Sequence, residues 1–111
     1  MLAPPLANQD NEMSYAVLCT FDLKGASSTD YQNAYSDLQR IGLSKVQSND
    51  QGGNTVIPTT TVLGTFNGTN AAALRDDVRA KVKAVFTARG FRSEIFVLVG
   101  GSDWTWGAAT S

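Results

Sequence analysis

An α+β domain, with two helices on one face of a four-stranded antiparallel sheet, is the fold this sequence predicts. Three observations predict it. Four short segments carry the apolar and β-branched composition of strands, two longer ones repeat apolar residues at helical spacing, and together they run strand, helix, strand, strand, helix, strand. Two helices can cover only one face of such a sheet. At 111 residues the chain is sized for one domain with a modest core, which a partner subunit would help to stabilise.

The first strand, Tyr15–Leu23 (YAVLCTFDL), is apolar on both faces until Asp22, as a central strand is. Tyr15, Val17, Cys19, Phe21 and Leu23 point one way; Ala16, Leu18, Thr20 and Asp22 point the other. The bulkier set is assigned to the helices. Gly25-Ala26-Ser27-Ser28 breaks the strand. Tyr31, Ala34, Tyr35, Leu38 and Ile41 then form a helical stripe, with Thr29 and Gln32 as its capping box and Gly42 at its end. Leu43–Gln47 is the second strand and Ser48–Asn54 a turn-rich loop. Thr59–Phe66 is the third strand. Pro58 belongs at its start, because proline cannot donate to a ladder. Asn67-Gly68 closes it, and Thr69 or Asn70 caps a second helix. Leu74, Val78, Val82, Val85 and Phe86 form the buried stripe of that helix, and Gly90 ends it. Asp76 and Asp77 toward its start, and Lys81, Lys83 and Arg89 toward its end, suit the helix dipole. Glu94–Val99 is the fourth strand.

This order is the split βαβ, ferredoxin-like βαββαβ pattern. It assigns residues 14–100 to the domain and 1–13 to a polar, Pro-containing tail, with Met13 a candidate natural start. Residues 101–111 form a C-terminal tail in which Trp104 and Trp106 alternate with polar residues. An added strand on a sheet edge, its own or a partner's, would read this way; stacking on a nucleotide base is the alternative. In the fourth strand both residue sets are apolar, Ile95, Val97 and Val99 against Phe96 and Leu98. The helix-free face is therefore too apolar to stay wet. The expectation is a homodimer formed through that face and the C-terminal tail.

Nine basic and ten acidic residues leave a net charge of −1, which gives no support to a broad nucleic-acid footprint. With no histidine there is no histidine base, triad or metal ligand. The single cysteine, Cys19, reads as a core residue and permits no intrachain disulfide, which fits a reducing cytoplasm. No apolar run approaches the ~20 residues of a membrane span, and the first residues do not read as a secretory signal.

A first strand ending Phe21-Asp22-Leu23, a polar loop, a helix closed by Gly42, a threonine-rich third strand and a fourth strand running into a Gly/Trp tail resemble the SinR-like proteins. These are relatives of the second CRISPR-associated protein, a small ferredoxin-fold nuclease or adaptor. The resemblance covers roughly Ser14 to Gly107. It implies a dimer in which the two Asp22 residues approach each other, and it puts Asp22 at the position of the proposed metal-binding aspartate. The chain departs from those relatives in its first helix, which carries one basic residue, Arg40, where they are often arginine-rich.

Two functions of different class follow. One is a non-catalytic dimeric adaptor or toxin-like regulatory protein, in which Asp22 caps the turn at Lys24–Gly25 or pairs with a nearby lysine. The other is a Mg²⁺-dependent nuclease acting on RNA or DNA, with a cross-dimer pair of Asp22 as metal ligand and catalytic centre. The near-neutral charge favours the first; the position of Asp22 favours the second.

Overall fold

The computed structural model describes residues 12–111. Its elements are β1 (Met13–Leu23), α1 (Ser28–Arg40), β2 (Val46–Ser48), β3 (Asn54–Val56), β4 (Thr61–Gly68), α2 (Ala71–Ala88) and β5 (Ser93–Gly100). β1 is central, with β4 and β5 antiparallel on either side of it. Tyr15, Val17, Cys19, Phe21 and Leu23 are all buried, in one cluster with Ala34 and Leu38 of α1 and Leu74, Val78, Val82 and Phe86 of α2. The bulkier set of β1 thus faces the helices, and both helices lie on that one face.

The sheet has three strands, not the four expected. Leu43–Gln47 reaches β4 only through Ser44, whose backbone N–H donates to the Leu63 carbonyl (3.0 Å) and whose carbonyl accepts from the Leu63 N–H (2.9 Å). The reason is local. The Ser44 hydroxyl accepts from the Val46 N–H (3.1 Å) and sits 3.0 Å from the Val46 carbonyl, which curls the backbone off the β4 edge. The Gln47 side-chain amide takes over, donating to the carbonyls of Ser44 (2.9 Å) and Leu63 (3.0 Å). The chain then forms a separate hairpin of β2 and β3 across the segment expected as a loop. Asn49 builds its turn: its side-chain oxygen accepts from the N–H groups of Gln51 and Gly53, both at 3.0 Å.

Four smaller expectations are corrected. The capping box of α1 is Ser27 with Asp30, each side chain bonded to the other's backbone N–H at 3.1 Å, and not Thr29 with Gln32. Asp76 and Asp77 lie beyond the first turn of α2, where the dipole has faded; they pair instead with Arg75, Arg79 and Lys81. Met13 belongs to β1, opposite Gly68, so the expected N-terminal tail is one residue too long, and its residues 1–11 lie outside the described residues. Residues 101–111 form no strand within this chain. Asn70 does cap α2, accepting from the Ala73 N–H at 2.7 Å.

The helices are tied to each other by Arg89, which grips Asp37 with two nitrogens, one of them at 3.0 Å. Asp37 is only 12% exposed, and the Arg89 hydrogen bond pulls its carboxyl below the ordinary 3.8. A depressed folded-state pKa adds stability that is present above the unfolded value and lost as pH falls through the folded one. Arg89→Met should therefore lower the melting midpoint at pH 7, and the gap to the parent should close as acid carries the solution below pH 4. A gap that does not narrow as the pH falls below 4 would contradict the assignment.

Candidate functional site

β4 separates from β1 at Thr60, and that departure builds the site. The Thr60 carbonyl accepts the last ladder bond from Phe21 N–H (3.0 Å), and Thr60 itself holds φ at +61°, a costly conformation for a β-branched residue. The Tyr35 hydroxyl fixes it there by accepting from the Thr60 N–H at 2.8 Å. Beyond this point Asp22 and Leu23 have no strand on the β4 side. The Tyr31 hydroxyl fills that place: it accepts from the Leu23 N–H (3.1 Å) and stands 3.2 Å from Asp22 Oδ1 and 3.3 Å from the Leu23 carbonyl. Its one proton serves these two acceptors in turn.

Asp22 is therefore an exposed carboxylate at the end of the central strand, on the helix-free face, as expected. Neither expected structural partner holds it. Lys24 bonds Glu94 instead (2.9 Å), and no backbone N–H of the Lys24–Gly25 turn reaches Asp22 among the described residues. Glu94 stands directly opposite Asp22 in the β1–β5 register, so Lys24 relieves a cross-strand pair of like charges, and that bond raises the Lys24 pKa. A groove of about 850 Å³ opens beside Asp22, with Tyr31, Tyr35, Lys45 and the 56–60 segment as its walls. The Lys45 ammonium lies 4.1 Å from the centre of the Tyr35 ring.

The site does not suit a magnesium ion within one chain. Mg²⁺ takes near-octahedral oxygen ligation built on carboxylates and substrate phosphate. Of the two carboxylates here, Asp22 accepts from a tyrosine and Glu94 is held by an ammonium. Among the described residues no group of three histidine, cysteine, aspartate or glutamate side chains converges. The Ser27 hydroxyl is occupied as the α1 cap. Cys19 is buried, and burial pushes its thiol up to about 11, so it is no nucleophile near neutral pH.

The helix-free face continues above Asp22. Reading across β4, β1 and β5, its rows are Thr61–Thr20–Phe96, Leu63–Leu18–Leu98 and Thr65–Ala16–Gly100. Phe96 is 61% exposed and Leu98 55%. Within this chain the C-terminal tail lines no edge of the sheet. Trp104 and Trp106 share a pocket with Ala16, Leu18, Leu63 and Leu98, and Trp106 also borders Asn49, Asp50 and Thr55 of the β2–β3 hairpin. The tail thus crosses the upper half of the face rather than extending an edge.

A scan against protein-family models and a search of curated proteins find no match to this chain. Among the described residues no helix is long and apolar enough to cross a membrane.

Proposed function

We propose that the protein is a non-catalytic dimeric adaptor or toxin-like regulatory protein of the SinR-like kind, built on a ferredoxin-like frame whose outermost strand is shortened to the Ser44 bridge. One observation carries the reading: a single-layer sheet leaves Phe96 and Leu98 more than half exposed beside Leu18, on a chain whose rows there are otherwise small or apolar. An apolar patch of this kind marks a contact surface. The bridge at Ser44 supports the frame, since it lies beyond β4 where the missing strand of a four-stranded sheet would run.

Light scattering should report twice the chain mass of 11.8 kDa. Leu98→Asp places a charge in the contact, and several kcal/mol of desolvation should weaken the dimer by roughly a hundredfold or more. A parent protein that stays monomeric at micromolar concentration would overturn the proposal.

The exposure of Asp22 on this same face favours a second reading, a magnesium-dependent nuclease that needs an Asp22 from each copy. Labelled single-stranded RNA and duplex DNA, with Mg²⁺ and with EDTA, separate the two. The adaptor reading expects no cleavage by the parent or by Asp22→Asn, and a stability change within about 1 kcal/mol because the amide oxygen still accepts from Tyr31. Mg²⁺-dependent cleavage lost in Asp22→Asn would establish the nuclease.

A further inference from the structure

The phase of the β1–β5 ladder is set by the bond from the Lys24 N–H to the Arg92 carbonyl (2.9 Å). In an antiparallel pair, bonded and non-bonded positions alternate. The residues of β5 opposite Asp22, Thr20 and Leu18, namely Glu94, Phe96 and Leu98, therefore turn their backbone groups toward β1. Ile95, Val97 and Val99 turn theirs away, along the outer edge of an eight-residue strand. Among the described residues nothing pairs with that edge.

Native sheets block such an edge with charge, proline, a bulge or a covering loop. From Ile95 to Gly101 this chain has neither charge nor proline, and the β1–β5 register runs without a bulge. The tail does not cover the edge either, because it leaves β5 across the helix-free face toward the β2–β3 hairpin.

We propose that the occupant of this edge is β5 of a second copy, running antiparallel about a two-fold axis at Val97, so that the two sheets become one. The inference rests on the dimer reading above and specifies its geometry as edge to edge. Four features of the strand argue for a second copy. Val97 meets the partner's Val97 and Ile95 meets the partner's Val99, and these are the outward-facing positions; each pair exchanges two bonds, about six in all. The register keeps every side chain on its proper face, because paired positions differ by an even number of residues. Phe96 then lies beside the partner's Leu98 and Leu98 beside the partner's Phe96. The two most exposed apolar side chains of β5 cover each other, and the Leu63–Leu18–Leu98 row runs on into the next copy. Glu94 falls opposite the partner's Gly100, so no like charges meet. A face-to-face dimer would first have to lift Trp104 and Trp106 off the sheet.

The test is amide hydrogen exchange on the parent protein, followed residue by residue below and above the dimerisation midpoint. Phe96 and Leu98, bonded to β1, should be slow throughout. Ile95, Val97 and Val99 should be fast in the monomer and slower by on the order of tenfold or more in the dimer. A dimer in which those three amides stay fast overturns the edge geometry and leaves the dimeric adaptor standing. The three amides already slow in the monomer would show a segment of the same chain on the edge, which also overturns it. A chain that never dimerises overturns both readings.

Discussion

Gly64→Ala is expected to cost about 3 kcal/mol by forcing a methyl group into a filled space, roughly 15 °C of melting temperature for a domain of this size. A Cβ built on Gly64 would stand 2.0 Å from the Gly42 carbonyl oxygen and 3.0 Å from the Phe66 ring. The oxygen belongs to backbone, so no rotamer change relieves the contact. The backbone cannot retreat cheaply, because Gly42 is the left-handed residue that ends α1, at φ +96°, and Leu43 and Ser44 follow it into the core and onto β4. Gly101→Ala is the control: a Cβ there meets nothing within 4 Å, and the change should stay within about 0.5 kcal/mol. Equal midpoints for the two variants, read by thermal denaturation, would mean that the α1–β4 connection is looser than described.

Gly64 also shows where the sequence stops being legible. In TTTVLGTF it reads as an ordinary strand glycine. Its reason is a crossing of two backbones 22 positions apart in the chain, which no local pattern encodes. The same holds for Ser44. β-propensity gave Leu43–Gln47 a strand, and a serine hydroxyl and a glutamine amide took over the bonding the ladder would have made. What was legible was periodic. The alternation in β1 and the stripes of both helices named nearly the whole core, because burial repeats every two residues in a strand and every three to four in a helix. The site was half legible. Asp22 announced itself as a charge ending an apolar strand. Tyr31 and Tyr35 read only as part of a helical stripe, yet their hydroxyls hold the strand ends at Leu23 and Thr60. A tyrosine where the stripe would accept phenylalanine was the available signal. Thr60 offered none, since a threonine gives no sign of a positive φ.

Truncation after Gly101 is expected to lower the melting midpoint by several degrees, through the loss of a net 1–2 kcal/mol (about 4–8 °C per kcal/mol at the smaller end of domain size). Trp104 and Trp106 are 39% and 38% exposed, so each buries most of a large side chain on the Leu63–Leu18–Leu98 row. The gross gain from that burial is on the order of 3 kcal/mol per ring at 25 cal/mol per Å². Ordering a tail that makes no ladder bonds opposes that gain and leaves only a small net term. Trp104→Ala with Trp106→Ala should reproduce most of the effect without shortening the chain. An unchanged midpoint in both variants would mean that the tail does not hold this face. The truncation also discriminates between dimer geometries. If copies met face to face, removing the tail would clear their contact and tighten the dimer. If they meet along β5, the dimer affinity should change little, while the newly bared leucine row adds a second sticky surface. Light scattering would then show species larger than a dimer at concentrations where the full chain stops at two copies.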